Sequence, residues 1–535
     1  MEKNAILFLV ISLVILLSYP LIMEKWFGIG EKKIETQEKG KKENEKIEEK
    51  SVFSEEISPV EEKKEEKEKK TFDAMEVSVE TDLFKAILSS QGGVIKTWEL
   101  KKYKESLKKE AKIIQLLSEE GEVYPMDLNI GGESYGDKVF QIIGEDINLQ
   151  GRKEKEKISF IYQGENGREK IRKDFTFHKN SYRVDVRITY TGFEGKGVLS
   201  LGENFGITDW EKKKMVGFVG PISLVNGKVE KDKVENRGEK VQHFGSVRWV
   251  ALQDKYFIST IIVPKQEVET RVFTEKLGDD RVTIGLELPQ EALELALYAG
   301  PKEHERLKAL NAHLEEAIDF GWFIYGSWSV VRLVAKPLFA ILNFFYQFSH
   351  NYGFSIIFLT CLIKTLFIPL THKSYTSMKG MQAIQPQMQA LQKKYKNDRE
   401  RLNKEMLSLY KNHKVNPLGG CLPVILQIPV FIALFNILYT TIELRQAPFI
   451  FWITDLSDKD PFYVLPIIMG ATMFIQQKIQ PTPMDPRQAK IMMFLPFVFT
   501  ILFLNFSSGL VLYWMTNNIL TITQQYVTVR FLQKR

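Results

Sequence analysis

The sequence predicts a membrane α-helical bundle of six spans, five of them in the last third of the chain, joined to a large all-β sandwich. Three observations lead to this fold class: residues 5–23 are uncharged, residues 71–314 alternate short β-branched and aromatic runs with turn signals, and residues 354–527 contain long apolar stretches. The 535 residues carry a net charge of +6, which is too small to suggest a nucleic-acid-binding protein. The segregation of apolar and charged residues excludes a purely soluble enzyme.

The front of the chain is predicted to be an anchor, residues 1–26, followed by a charged tether, residues 27–70. The uncharged run has about the ~20 apolar residues that cross a bilayer core. A cleaved signal peptide is the alternative, but its apolar region is shorter and ends in a small-x-small site, which does not occur here. The tether is dominated by Glu and Lys and is expected to be solvated, with a transient helix held by i,i+4 pairs as the alternative.

Residues 71–320 are predicted to form one β-sandwich domain that ends in an amphipathic helix. Polar and apolar side chains alternate strictly over residues 182–190, which is typical of a strand with one buried face. Leu307, Leu310, Leu314 and Ile318 recur at helical spacing. They predict a helix over residues 301–320 that leads toward the membrane.

No catalytic or metal-binding constellation is predicted in the β domain. Its histidines are scattered without metal spacing, and no GxSxG motif occurs. The chain has two cysteines, Cys361 and Cys421, both in apolar stretches. This excludes a disulfide framework and a CxxC metal site, so we expect no cofactor and no metal.

Residues 321–535 are predicted to form the membrane core. Its first helix, over residues 330–348, has a single narrow polar stripe, which favours a position in the membrane interface over a span. Five spans follow, over residues 354–370, 421–442, 463–479, 491–506 and 510–527. The last two are joined by a tight turn at Ser507-Ser508-Gly509.

The Lys and Arg residues orient this core. Residues 371–419 hold ten Lys and Arg against three Asp and Glu, whereas residues 443–460 hold four acids and two bases. The positive-inside bias places residues 371–419 and both termini in the cytoplasm and the β domain outside. Residues 371–419 are predicted to form a helical hairpin whose Met378, Met381 and Met388 provide adaptable contacts, with simple packing of the two arms as the alternative.

Lys364 is the candidate functional residue, because it lies eleven residues into the first span of the core, residues 354–370. A lysine near the bilayer centre costs at least ~2.5 kcal/mol on insertion scales. Thr360 lies one turn earlier on the same face, and other spans carry polar residues at Gln427, Thr472, Gln476, Asn517, Thr521 and Gln524. Each could hold helices together. Together with an unpaired cation they favour a hydrated cavity that attracts acidic groups of a passing molecule, with snorkelling of Lys364 to the cytoplasmic surface as the alternative.

Five motifs in the last third of the chain are distinctive. They are Tyr352-Gly353-Phe354-Ser355-Ile356-Ile357, Tyr375-Thr376-Ser377-Met378, Val415-Asn416-Pro417-Leu418-Gly419-Gly420-Cys421-Leu422-Pro423, Glu443-Leu444-Arg445-Gln446-Ala447-Pro448-Phe449 and Ser508-Gly509-Leu510-Val511-Leu512-Tyr513. These motifs resemble the bacterial YidC membrane protein insertase family, whose relatives work in mitochondria and chloroplasts. Gln91-Gly92-Gly93 and Trp249-Val250-Ala251 resemble the periplasmic domain of the family more loosely.

The resemblance implies a groove open to the cytoplasm and to lipid but closed toward the outside of the cell. Lys364 stands where the family has arginine, so the charge is kept and the bidentate fork is lost. The family's substrate contacts map to Gln427, Ile428, Phe431, Met469 and Tyr513, while Trp514 replaces a tyrosine and Ser507 a proline. The outer domain resembles mutarotase-like supersandwiches, which this family does not use as an enzyme.

The resulting hypothesis is an insertase and chaperone of the bacterial inner membrane, not an enzyme. Its expected partners are nascent membrane-protein chains, membrane lipid, the Sec translocon and the ribosome. The absence of a GxxxxGK[ST] loop implies that no nucleotide is used. The alternatives are a solute transporter or channel, which would call for an ion-coupling carboxylate in the spans, and a membrane-anchored carbohydrate enzyme acting through residues 71–314.

Overall fold

A computed structural model describes most of the chain from residue 74 onward. The described ranges are 74–117, 121–208, 218–263, 268–288, 292–323, 326–396, 398–413, residue 415, 422–479 and 486–533. The chain divides into two compact units, residues 1–73 and 74–535, and only the second contains described residues. The predicted anchor and tether lie outside the described residues.

The first part of the described chain is built almost entirely of strands. They are β1 (Glu76–Glu80), β2 (Phe84–Ser89), β3 (Val94–Lys104), β4 (Ile113–Gln115), β5 (Leu128–Ile130), β6 (Glu133–Ser134), β7 (Gln141–Ile143), β8 (Ile147–Asn148), β9 (Lys155–Gln163), β10 (Lys170–His178), β11 (Arg183–Thr191), β12 (Gly197–Glu203), β13 (Gly220–Val225), β14 (Lys228–Lys231), β15 (Lys240–Gln253), β16 (Phe257–Ile262), β17 (Val268–Gly278), β18 (Arg281–Glu287), β19 (Ala292–Pro301), β20 (Trp322–Phe323) and β21 (Gly326–Ser327). In β11, buried and more exposed residues alternate, as the pattern over residues 182–190 predicts.

Two sheets form the body of this domain. The smaller has the strand order β4-β3-β2-β1-β8, and the larger runs β6-β5-β12-β18-β17-β15-β16-β19-β11-β10-β9-β7, with β13 and β14 joined to it at β15. The pairing is antiparallel except between β1 and β8. The hairpin of β20 and β21 stands apart from both sheets. The predicted all-β sandwich is confirmed.

Aromatic side chains join the two sheets in one core. Phe84 and Trp98 of the smaller sheet stack with ring centroids 4.1 Å apart, and Phe84 lies 6.4 Å from Phe177 of the larger sheet. The Trp98 indole N–H donates to the Ala299 carbonyl across the core, at 3.1 Å. A buried indole that finds such an acceptor adds a directional contact to the apolar burial, which fixes how the sheets face each other.

The prediction of one continuous amphipathic helix over residues 301–320 is wrong. The segment forms a short helix, α1 (His304–Ala309), and a 3-10 turn, Leu314–Ala317, separated by residues in the left-handed region. Asn311 has φ 52° and His313 has φ 56°, and no α-helix continues through this conformation. The leucines at helical spacing are nevertheless used, because Leu307 and Leu314 are both fully buried against the sandwich.

The described residues after Ser327 are mainly helical. The helices are α2 (Ser329–Ser349), α3 (Tyr352–Ala383), α4 (Gln385–Lys394), α5 (Arg399–Asn412), α6 (Leu422–Thr440), α7 (Val464–Ile479), α8 (Pro486–Phe503) and α9 (Ser508–Gln533). Among the described residues, α2 and α3 are long and apolar enough to cross a membrane, and shorter apolar stretches occur at Ile425–Thr440, Val464–Ile479 and Met493–Phe503. The count of six spans therefore stays a prediction, as does the interfacial position of residues 330–348.

Helix α3 extends well beyond the predicted span of residues 354–370. It begins at an N-cap, where the Asn351 side chain accepts hydrogen bonds from the Gly353 and Phe354 amides at 2.9 and 3.3 Å. It ends at Ala383, and α4 begins after a break at Ile384 with Pro386 in its first turn, where the missing N–H leaves no intrahelical bond unmade. The first arm of the predicted hairpin over residues 371–419 is thus the end of α3 followed by α4.

The β domain contacts the helical region through backbone acceptors. The Asn436 amide of α6 donates to the Phe320 carbonyl at 2.8 Å. Beyond α6, Arg445 and Gln446 both donate to the Lys104 carbonyl at the end of β3, at 2.5 and 3.0 Å. These bonds fix the sandwich to one end of α6, the end opposite to Gln427.

Candidate substrate groove

The ammonium of Lys364 lies between α3 and α9. Its Nζ atom donates to the Thr521 hydroxyl at 2.8 Å, and that hydroxyl in turn donates to the Asn517 carbonyl at 2.6 Å. Thr521 therefore accepts from the lysine with its lone pair while its own proton is satisfied within α9. Lys364 is half-buried and Thr521 is buried, so the charge points into the bundle of helices.

Helix α6 completes this polar site from the other side. The Gln427 amide donates to the Asn517 side-chain oxygen at 3.2 Å, and it also lies against the Tyr513 hydroxyl. Tyr513, Asn517 and Thr521 share one face of α9, because they are spaced four residues apart. We call the set Lys364, Thr521, Asn517, Gln427 and Tyr513 the polar track.

The polar track carries an uncompensated positive charge. Within the described part of the chain, no Asp or Glu lies within ion-pair distance of Lys364, and Thr521 is the hydrogen-bond acceptor found for its ammonium. An ammonium has three N–H donors, so this one keeps donor capacity for another partner. An incoming carboxylate would meet an unpaired cation in surroundings of low polarity.

Aromatic side chains line the same region on the apolar side. Phe431 of α6 contacts Trp514 edge-to-face with ring centroids 4.8 Å apart and stacks with Tyr513 at 6.4 Å. Trp514 also contacts Phe503 of α8, at 5.0 Å. Ile428, next to Gln427 on α6, is exposed, while Phe431 and Trp514 are half-buried. The arrangement places a polar track beside an apolar surface that faces outward.

Three predicted groove residues are buried, and Tyr513 of the polar track is one of them. Met469 is fully buried, and its carbonyl accepts from the Thr472 hydroxyl at 2.7 Å. Thr360 is also buried, and its hydroxyl donates to the Ile356 carbonyl of its own helix at 2.6 Å. Contact between these side chains and a substrate stays a prediction. Gln476 is half-buried two turns after Met469 on α7.

Comparisons with known proteins match both the β domain and the helical region to one family. A family model described as 60Kd inner membrane protein matches residues 344–535, and one described as YidC periplasmic domain matches residues 76–341. The membrane protein insertase YidC of Geotalea daltonii is 44% identical over 467 residues, which cover 84% of this chain and 86% of that protein. The chain belongs to the YidC family.

Another relative and two solved structures are also similar to this chain. The membrane protein insertase YidC of Syntrophus aciditrophicus is 42% identical over 466 residues, 84% of each chain. A crystal structure of an active YidC insertase with its first transmembrane domain resolved is 17% identical, covers 84% of this chain and 92% of its own, and gives a TM-score of 0.36. A galactose mutarotase-like protein from Lactobacillus casei covers 42% of this chain and 100% of its own, with 10% identity and a TM-score of 0.26.

One polar contact in this YidC-family bundle was not predicted from the sequence. The Asn518 amide donates to the Thr472 hydroxyl of α7 at 3.2 Å, and Asn518 is buried. Asn517 and Asn518 are neighbours on a helix, so their side chains point about 100° apart, one toward α6 and one toward α7. The pair of asparagines in an apolar span is the signal that would have revealed it.

The predicted methionine contacts are divided between two helices. Met378 and Met381 lie near the end of α3, whereas Met388 lies on α4, and all three are half-buried. α4 and α5 are joined by the His413 ring nitrogen and the Gln387 side-chain oxygen at 3.2 Å. Contact between these methionines and a substrate stays a prediction. Among the described residues, no group of three His, Cys, Asp or Glu is arranged to hold a metal ion.

Proposed function

We propose that this chain inserts and helps to fold nascent membrane proteins by way of the polar track and the apolar surface beside it. Membership of the YidC family, whose relatives are named membrane protein insertases, supports the activity. The observation that carries the mechanism is the Lys364 ammonium, which is held by Thr521 and has no carboxylate partner in the described residues. Such a site lowers the free energy of an acidic or polar segment that enters the bundle.

The energetic problem is the desolvation of the substrate's outer segment. Moving an ionised carboxylate into a medium of low polarity without a partner has a large cost, which an ammonium with free N–H donors reduces. A membrane potential that is positive outside would add ~2.3 kcal/mol per negative charge per 100 mV. The apolar segment of the substrate then passes Ile428 and Phe431 on α6 and leaves toward lipid.

The wider arrangement follows from the charge distribution and the family. Both termini and the hairpin of residues 371–419 are cytoplasmic, the β domain lies outside the inner membrane, and the six predicted spans cross it. The hairpin methionines Met378, Met381 and Met388 meet the nascent chain first. Membrane lipid, the Sec translocon and the ribosome are the other partners. The chain acts without chemistry of its own, because insertion requires only differential solvation.

An experiment in cells separates this function from a transporter or a carbohydrate enzyme. The protein is depleted, and pulse-labelled single-spanning proteins with a short outer segment are tested for protease accessibility from outside. We expect insertion to fall and to return with the wild-type chain. Normal insertion together with altered solute uptake or altered sugar chemistry would reject the proposal. A lost β-domain fold is controlled for by following its protease resistance in the same samples.

A further inference from the structure

The loop between α6 and α7 is folded as a compact unit. Within it, the Leu456 amide donates to the Ala447 carbonyl at 3.0 Å and the Phe449 amide to the Ile453 carbonyl at 2.9 Å. The start of α9 is attached to it as well, because the Ser508 amide donates to the Asp458 carbonyl at 2.7 Å. The loop therefore has a defined surface rather than a fluctuating one.

A buried carboxylate positions aromatic residues on this surface. Asp460 is fully buried and accepts from the Trp452 indole N–H at 3.0 Å, from the Phe462 amide at 3.0 Å and from the Leu465 amide at 2.7 Å. Trp452 stacks with Phe451 at 5.9 Å and meets the Phe462 ring at 6.4 Å. We call Phe451, Trp452, Phe462 and Tyr463 the aromatic knuckle.

The aromatic knuckle points outward at a conformational cost. Phe451 is 86% exposed and Phe462 is 65% exposed. Phe451 and Tyr463 have φ values of 53° and 57°, a left-handed conformation that bulky residues rarely adopt. Strained backbone that exposes large apolar rings needs an explanation outside the packing of the chain itself.

The position of the knuckle along the chain points to the lipid. Tyr463 directly precedes α7, and Lys478 near the other end of α7 is exposed. The 15 residues from Val464 to Lys478 rise by about 21 Å along the helix, less than the ~30 Å thickness of a bilayer core. If the Lys478 ammonium reaches the inner headgroups, a helix of this length places the rings of the aromatic knuckle, which come just before Val464, at the outer edge of the hydrocarbon.

The polar side of the same loop already contacts other parts of the protein. Ser457 hydrogen-bonds the Tyr256 hydroxyl of the β domain, and Asp458 holds the start of α9. This leaves the aromatic side as the face directed away from the protein. Trp and Tyr, represented here by Trp452 and Tyr463, are favoured at the boundary between headgroups and acyl chains, and the exposed Phe451 and Phe462 rings add apolar area to this surface.

We propose that the aromatic knuckle inserts into the outer leaflet of the membrane at the boundary between headgroups and acyl chains. The occupant of this surface is lipid, and the anchor is independent of the Lys364 site. The knuckle thus holds the outer end of α7, while Asp460 keeps the rings in position from the protein side.

Spin labels at matched positions test the proposal on the full chain. Phe451→Cys, Phe462→Cys and, as an exposed polar control in the same loop, Thr454→Cys are each made in a Cys361→Ser, Cys421→Ser background and reconstituted in phosphatidylethanolamine and phosphatidylglycerol vesicles. Oxygen concentrates in the bilayer, whereas a nickel chelate stays in water. We expect labels at 451 and 462 to favour oxygen and the label at 454 to favour nickel.

Two outcomes would overturn the proposal. Equal preference for nickel at all three positions would mean that the knuckle faces water. Labels at 451 and 462 that neither reagent reaches would mean that protein covers the rings. Because two knuckle positions are probed separately, failure of one variant to fold leaves the other decisive. The result is independent of insertase activity, so it stands apart from the proposed function.

Discussion

The Lys364 ammonium and the Thr521 hydroxyl are 157 residues apart in sequence and form a 2.8 Å hydrogen bond between α3 and α9. The bond directs the lysine across the bundle toward α9. A threonine hydroxyl satisfies one donor without neutralising the charge. In the proposed mechanism, the pair keeps a cation available for the acidic segment of a substrate.

Replacement of Lys364 should affect substrates according to the charge of their outer segments. We expect Lys364→Arg to be tolerated because it keeps the charge, Lys364→Ala to impair insertion, and Lys364→Glu to be worst because it repels an acidic segment. The measurement is the inserted fraction of a single-spanning protein with an acidic outer segment in cells depleted of the wild-type chain.

A substrate whose outer segment is neutral is the matched control for this series. Its inserted fraction should differ much less among the three variants, because it has no carboxylate to desolvate. If all three variants inserted the acidic substrate equally well, the cation would have no part in the mechanism.

Thr521→Val should weaken insertion of acidic substrates even though the lysine is still present. The isosteric change removes the acceptor of the Lys364 ammonium, and a hydrogen bond to a charged group contributes roughly 1.5–3 kcal/mol. Thr521→Ser keeps the hydroxyl and is expected to behave like the wild type. The measurement is the inserted fraction of an acidic substrate in vesicles that contain each variant, as a function of substrate concentration. Equal insertion by Thr521→Val and Thr521→Ser would contradict the prediction.

The sequence predicted the elements of this fold better than their contacts. Alternation along β11 and the apolar stretches of α6 to α9 follow from local periodicity, which one strand or helix reveals by itself. The break between α1 and the 3-10 turn was missed, because the leucine spacing continues through Asn311 and His313 although the backbone does not. Burial in a core does not require one continuous helix.

In the candidate site, too, the polar residues could be predicted from the sequence but their contacts could not. The polar character of Lys364, Gln427 and Asn517 was visible in the sequence, since each interrupts an apolar span. The burial of Met469 was not, because it depends on how the helices pack around α7. Such packing depends on residues of different helices, as where Gly470 of α7 lies against Thr500 of α8, and no single-helix pattern reports it.

Gly470→Ala should destabilise the contact between α7 and α8. A Cβ atom at this position would collide with the Thr500 hydroxyl, so one of the helices has to shift. Thr500→Ala removes the obstructing hydroxyl and should restore much of the loss when the two changes are combined. Thermal unfolding in detergent measures each variant and the pair, and strictly additive effects would show that the two residues do not share this contact.

Lys173 should make the stability of the β domain depend on pH. Its Nζ atom is fully buried and donates to the Gly92 and Met126 carbonyls, each at 2.6 Å. Burial lowers the pKa of Lys173 from its ordinary 10.5 to about 8 in the folded protein, although the nearby Asp127 opposes the change. Between these two values the unfolded chain holds a proton that the folded chain has released, so the free energy of unfolding rises with pH.

The full effect of this difference in pKa is about 3 kcal/mol. Lys173→Met has no titrating group at this position and is the reference, although it leaves two carbonyls without their donor and is expected to be less stable overall. Urea unfolding of the β domain in the detergent-solubilised full chain, followed by circular dichroism, gives the free energy for both chains. The free energy of unfolding of the wild type should increase relative to that of Lys173→Met as the pH rises above about 8, since the buried ammonium becomes a neutral amine. A constant difference between the two chains would mean that Lys173 does not change its protonation on unfolding.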